Sequence, residues 1–286
     1  MVYEQFGYLC FMRLLSALFA FYIQASFHVA GSLIALLVLT EQWYGMAMPM
    51  PYYGVVFFGS LAGYNAIKYG AEPWKRRKER GTPDRAIFWL SLVSALLALA
   101  LLTRLEFRYW VLLGFTALLA ALYALPVLPG FRNLRSFGLF KVPLVALVWT
   151  LVSLWIPYGE AGVLKEWDLL VEGFQRLLWV GLLMLPFEVR DMPVDPPALR
   201  TLPRRLGLNG TRILGWTGAL VFVLSGLLKE HPEGGEFLAK AFAGLLTGLG
   251  VHCAREEQSP YYASFWIEAI PMAVLAWHTA WIALAG

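Results

Sequence analysis

Apolar residues run along this chain in blocks of about 20, the length a helix needs to cross ~30 Å of hydrocarbon. They lack the two-residue alternation of half-exposed strands. The blocks predict nine membrane-spanning helices, near residues 25–42, 51–70, 85–103, 107–125, 137–157, 168–187, 210–229, 236–253 and 261–284. Breakers and charges set the boundaries: Pro49 and Pro51, Gly81 and Pro83, Pro126 to Gly130, Pro157 and Gly159, Pro193 to Pro197, His231 to Gly235, and Pro260. The stretch from Gly7 to Gln24 is apolar and aromatic but holds Arg13 and Gln24. Residues 1–24 are therefore expected at the membrane surface as an interfacial helix, or as an extension of the first span. The predicted fold class is all-α, a polytopic bundle in which residues 1–286 form a single integral-membrane domain.

Composition agrees with the pattern. Of 286 residues 59% are hydrophobic and 15% charged, against roughly 25% charged in an average soluble protein, and the mean hydropathy is +0.61. Intrinsic disorder, a nucleic-acid-binding globule and a disulfide-stapled secreted module are excluded as classes. Cys10 and Cys253 stand far apart and form no redox or metal motif. Glu4 and the lack of a basic segment ahead of the first apolar stretch argue against a cleavable signal, so insertion is expected to rest on the spans.

Lysine and arginine collect on one side. Loops after the even-numbered spans hold fifteen of the 23 basic residues, among them Lys75 to Arg80, Arg132, Arg135, Lys141, Arg190 and Arg200 to Arg212. Loops after the odd-numbered spans, with their flanks, hold Arg104, Arg108, Lys165, Arg176, Lys229 and Lys240. Basic side chains are retained on the cytoplasmic side, which predicts a cytoplasmic N-terminus and, with nine spans, a C-terminus outside.

The chain has four aspartates, and two of them, Asp191 and Asp195, stand four residues apart after the sixth predicted span. Such a pair at a helix end has the spacing to share a Mg²⁺, which binds through one or two carboxylates plus phosphate oxygens. Arg200, Arg204 and Arg205 follow, and guanidinium forks suit phosphate. Pro193, Pro196 and Pro197 disfavour a regular helix through the pair, so the two carboxylates are expected to converge, if at all, in a turn.

The run Arg190-Asp191-Met192-Pro193-Val194-Asp195, followed by Thr201-Leu202-Pro203-Arg204-Arg205-Leu206-Gly207, resembles the second signature of the UbiA superfamily of intramembrane prenyltransferases, an RDxxxD segment leading into a TLPxxLG-like run. The resemblance implies a nine-helix bundle around a central cavity, in a bacterial or archaeal cell (inner) membrane. Two aspartate-rich cytoplasmic motifs would hold Mg²⁺ and a prenyl diphosphate, whose isoprenoid is transferred to a lipophilic acceptor. Carried onto this sequence, it implies that Asp191 and Asp195 hold the metal and that Asn65 joins them in catalysis. Lys68, Arg190, Arg200 and Arg205 would bind phosphate, membrane lipid would surround the bundle, and no nucleic acid is involved.

The family's first signature is NxxxDxxxD. Asn65 stands where it is expected, but the two aspartate positions fall on Tyr69 and Pro73, with Lys68 inside the motif and Lys75 to Lys78 just after it. Glu72 is one residue off, a rotation of about 100° on a helix. Three readings stay open: a metal held by Asp191 and Asp195 alone, anion neutralisation shared by Lys68 and the basic run, or no ionisation chemistry. The last is a non-catalytic relative that binds an isoprenoid or quinone-like lipid or serves as a membrane-complex subunit. A transporter would need paired intramembrane charges and an internal repeat, neither of which the pattern presents.

Among other polar residues within spans, His28, His252 and His278 have no ligand spacing. Glu188 is expected either to join the carboxylates or to cap its helix at the interface. Glu268 is expected to make a structural hydrogen bond inside the bundle, with substrate binding as the alternative. Gly244 to Gly250 reads as close helix packing.

Overall fold

The computed structural model of the chain describes residues 2–45, 47–69, 83–124, 138–158, 166–195, 199–230 and 234–285. Among them there is no strand, and ten helices follow one another: α1 (Val2–Gln24), α2 (Phe27–Tyr44), α3 (Met50–Tyr69), α4 (Pro83–Leu102), α5 (Phe107–Ala124), α6 (Gly138–Thr150), α7 (Glu166–Asp191), α8 (Leu202–Leu224), α9 (Gly234–Cys253) and α10 (Ile270–Ala285). A π-helical turn, Leu151–Trp155, continues α6 to Tyr158, and another, Tyr262–Ile267, leads into α10.

Each of the nine predicted spans falls on one of the helices α2 to α10 with its extensions. Five stretches are long and apolar enough to cross a membrane by themselves: Arg85–Leu102, Lys141–Tyr158, Glu166–Asp191, Leu202–Leu228 and Tyr262–Leu284. Phe11–Gln24 and Phe27–Tyr44 pass the same measure as a pair bent by 58°. Helices α3, α5 and α9 coincide with predicted spans without meeting it. Val2–Gln24 form α1, which is not a straight extension of the first span, since it meets α2 at a sharp bend.

The outward faces are those of a membrane protein. Phe88, Trp89 and Leu96 on α4, Val111 and Phe115 on α5 and Ile213 on α8 are large, apolar and exposed, a surface suited to lipid and costly in water. Inside, Leu36 and Leu37 of α2, Tyr52 of α3, Leu154, Trp179 of α7 and Phe222 of α8 form the core. Close helix packing at Gly244 to Gly250 is observed: a Cβ on Gly248 would lie 2.5 Å from the Trp216 ring, and one on Gly244 would lie 2.8 Å from Val223 Cγ2.

One feature corrects the expectation that paired intramembrane charges are absent. Arg176, Lys229 and Lys240, placed with the flanks of loops by the charge pattern, are buried inside the bundle. Glu172 Oε2 pairs with Lys229 at 2.9 Å and with Lys240, and Glu172 Oε1 pairs with Arg176 at 3.2 Å. Glu236 pairs with the same two lysines. Tyr44 donates to Glu172 at 2.7 Å, and Arg176 also donates to Thr40 Oγ1 at 2.7 Å and Ser153 Oγ at 3.0 Å. Glu172–Arg176 and Glu236–Lys240 are i,i+4 pairs, but the links between them span 57 and 68 residues, from Glu172 to Lys229 and Lys240, and follow from no local pattern. It ties together α2, the π-helical turn after α6, α7, the segment that follows α8, and α9.

Breaking a buried ion network by removing one member costs roughly 3–5 kcal/mol, because the remaining charges lose their partner where water cannot replace it. Glu172→Ala is expected to lower the thermal unfolding midpoint of the detergent-purified protein by several degrees, whereas Glu166→Ala, on the exposed first turn of α7, leaves it nearly unchanged. Equal midpoints for the two variants would show that the network contributes nothing.

Candidate functional site

The opposite end of the bundle gathers the other charges. From Arg176 to Glu188 is twelve residues of α7, or about 18 Å at 1.5 Å per residue. Here the C-terminal ends of α3 and α7 meet the N-terminal ends of α2 and α6 and the π-helical turn before α10, as antiparallel neighbours must. Between these elements and α4 and α5 lies a cavity of about 680 Å³. Its walls are apolar, with Leu33, Val56, Val148 and Leu183 among them, and its charged lining consists of Lys68, Lys141, Arg190, Asp191 and Glu268. An apolar body with a few polar groups is the usual build of a ligand pocket, and the volume is within the usual range.

Asp191 ends α7, and the chain leaves the helix in a turn closed by Asp195 N–H donating to Asp191 O at 2.9 Å. Pro193 cannot continue the helix, so the expected departure from regular helix at the pair is present. Asp191 is gripped by two cations: Arg190 Nε donates to Oδ1 at 2.8 Å, and Lys141 Nζ stands 3.5 Å from Oδ2. Lys141 also pairs with Glu188 at 2.6 Å, both side chains buried. Lys141 is thus a bundle residue on the first turn of α6 and not the loop anchor that the charge count made of it. Glu188 takes the first of its two expected roles in part, lying beside Asp191 on one helix face, but its charge is met by lysine.

Asp195, Arg200 and Arg205 are not part of the cavity lining. The Asp195 Oδ2 atom is buried and unpaired, and its backbone carbonyl accepts from Arg204 Nη2 at 2.6 Å. Arg204, which also donates to Met192 O, is carried back over this turn by a break in α8 at Gly207, whose φ of 69° a side chain would oppose. Arg200 and Arg205 are exposed beside Arg204 on the surface.

Asn65 and Lys68 serve the α1–α2 elbow. Ser26 adopts a left-handed conformation, φ 66°, unusual outside glycine, and the sequence's first-motif segment holds it there. Ser26 Oγ donates to Asn65 Oδ1 at 2.8 Å, Asn65 Nδ2 donates to Ala25 O at 3.2 Å, and Lys68 Nζ donates to Ser26 Oγ at 3.0 Å. Tyr69, standing where the family has its first aspartate, donates its hydroxyl to Gln24 O at 3.0 Å. Asn65 therefore has its amide directed at a backbone turn, while Lys68 reaches both the turn and the cavity. Pro73, Glu72 and the run Lys75 to Arg80 lie outside the described residues.

The resemblance implies a magnesium ion on Asp191 and Asp195. These residues do not fit one as they stand: both oxygens of Asp191 face cations, Asp195 is off the cavity wall, and among the described residues no three His, Cys, Asp or Glu side chains converge. Of the residues picked from the sequence, the fold brings Lys68, Arg190 and Asp191 to one cavity. It adds Lys141 and Glu268, which no spacing in the sequence linked to them.

Removing the Asn65 amide leaves buried groups of the elbow unmet, at about 1–3 kcal/mol. Asn65→Leu is expected to lower the unfolding midpoint clearly, and Ser26→Gly, which suits the left-handed conformation, to change it less. A Ser26→Gly loss as large as that of Asn65→Leu would overturn this account of the elbow.

No family model matches the chain, and no curated protein and no solved structure matches it.

Proposed function

We propose that this chain is an intramembrane prenyltransferase of the UbiA type, a nine-helix bundle with a cytoplasmic N-terminus and an external C-terminus. The observation that supports it is the polarity of the cavity, apolar along its length and charged at the end where Lys68, Lys141 and Arg190 meet. An isoprenoid tail would lie against Leu33, Val56 and Leu183, with the diphosphate among the three cations. Arg190 is suited to this, because its terminal nitrogens Nη1 and Nη2 make no hydrogen bond to a described residue and Phe187 supports its guanidinium at 5.2 Å. Trp149 and Tyr64 on the wall offer ring faces to an allylic cation. Departure of diphosphate leaves that cation between apolar walls, where a nearby acceptor captures it.

A second reading has an observation of its own. Asp191 neutralised by Lys141 and Arg190, together with Tyr69 and Pro73 in place of the first-motif carboxylates, favours a relative that holds an isoprenoid or quinone-like lipid without ionising it.

Labelled geranylgeranyl diphosphate and purified protein in nanodiscs distinguish these. The expected result is saturable binding that Arg190→Gln weakens about tenfold, the worth of a charge-assisted hydrogen bond, with release of diphosphate when acceptor is present. Binding without release supports the second reading. Absence of saturable binding, with and without added Mg²⁺, would sink both.

A further inference from the structure

Glu268 is the one charged group on the cavity wall without a hydrogen bond or ion pair to any described residue. It follows the π-helical turn Tyr262–Ile267, where Glu268 N–H reaches back five residues to Ala263 O at 3.3 Å. One extra residue in a helical turn rotates everything after it by about 100°, and such π-bulges recur at functional sites. The turn is held from outside the cavity: His28 Nε2 donates to Phe265 O at 2.9 Å, and Tyr22 meets the other ring nitrogen at 3.0 Å. Among the described residues the expected structural hydrogen bond of Glu268 is not made, and its side chain lines the cavity instead.

The groups facing it are known. Lys68 and Tyr64 of α3, Arg190 of α7 and Tyr22 of α1 are close enough for its charge to act on them. None donates to it, for Lys68 is engaged by Ser26 and Ile23, Arg190 by Asp191 and Tyr22 by His28. Glu268 is half-buried on the cavity wall, so a ligand in the cavity can reach its carboxylate. A ligand carrying an O–H restores the missing bond, whereas an anionic head would be repelled and is better met by Arg190.

We propose that Glu268 is a catalytic residue that binds the hydroxyl of the acceptor substrate and takes its proton, so that the acceptor is a phenol or alcohol with an apolar body. The proposal rests on the prenyl-transfer reading. The bond from the isoprenoid C1 to the diphosphate oxygen breaks and its electron pair leaves with diphosphate. The acceptor oxygen gives a pair to C1, forming an ether, and its proton passes to the Glu268 carboxylate. Glu268 adjoins the phosphate-facing Lys68 and Arg190, which places the base beside the carbon that is attacked.

Hydroxyl recognition is tested without catalysis. Binding of 1-naphthol and of 1-methoxynaphthalene, equal in apolar body but unequal in the donor, is measured on the full chain in nanodiscs. Wild type is expected to prefer 1-naphthol about tenfold or more, and Glu268→Leu to bind both alike. Equal binding by wild type, or an unchanged preference in Glu268→Leu, overturns the proposal. Proton transfer is tested with geranylgeranyl diphosphate and 1-naphthol, reading the ether by mass spectrometry. Glu268→Gln, which still accepts a hydrogen bond, is expected to keep KM for 1-naphthol within about threefold and to lose kcat by about 10²-fold or more. Wild-type turnover by Glu268→Gln overturns the role as base. Failure of wild type to form the ether counts against the prenyl-transfer reading, while hydroxyl recognition is decided by the binding measurement alone.

Discussion

An ion inside an apolar bundle must be matched by another ion or by hydrogen bonds, because lipid supplies neither. The structure meets this demand at two ends. At one, Glu172 and Glu236 are enclosed by Arg176, Lys229 and Lys240, with Tyr44, Thr40 and Ser153 completing the bonds. No residue of that network lines the cavity. At the other, Lys141 serves both Glu188 and Asp191, and Arg190 serves Asp191. The first set joins five segments and is saturated. The second is open on one side, with Arg190 Nη atoms and the Glu268 carboxylate lacking partners among the described residues.

That difference separates scaffold from site. A saturated network fixes helix register and has nothing to offer a ligand. An incomplete one, at the mouth of an apolar cavity, presents both a donor and an acceptor, and the proposed prenyl-transfer reading rests on these. The α1–α2 elbow borders the same mouth. Its left-handed Ser26 is held by Asn65 and Lys68, and Lys68 also reaches the cavity, so the shape of the entrance and the binding of α1 depend on one short stretch of α3.

Much of the fold was legible because the bilayer imposes a length. Proline and glycine positions located most helix ends to within a few residues, though α8 begins at Leu202, ahead of the span predicted from 210, and Gly244 and Gly248 announced close packing. The site was legible only in part. Arg190 and Asp191 came from a compact motif at a helix end, and Lys68 from a neighbouring one, each a local pattern. Arg200 and Arg205 share the motif's neighbourhood in sequence, but the break at Gly207 leaves them on the surface while turning Arg204 inward.

The chain's sequence by itself determined an all-helical membrane protein, the places of its helices and the end at which two of its four aspartates stand, because hydrophobic length and helix breakers act locally. The tertiary structure alone decided which charges neutralise one another. Lys141 meets Asp191 across 50 residues and Glu172 meets Lys240 across 68, distances over which only the packing of antiparallel helices, and no local rule, sets what touches what.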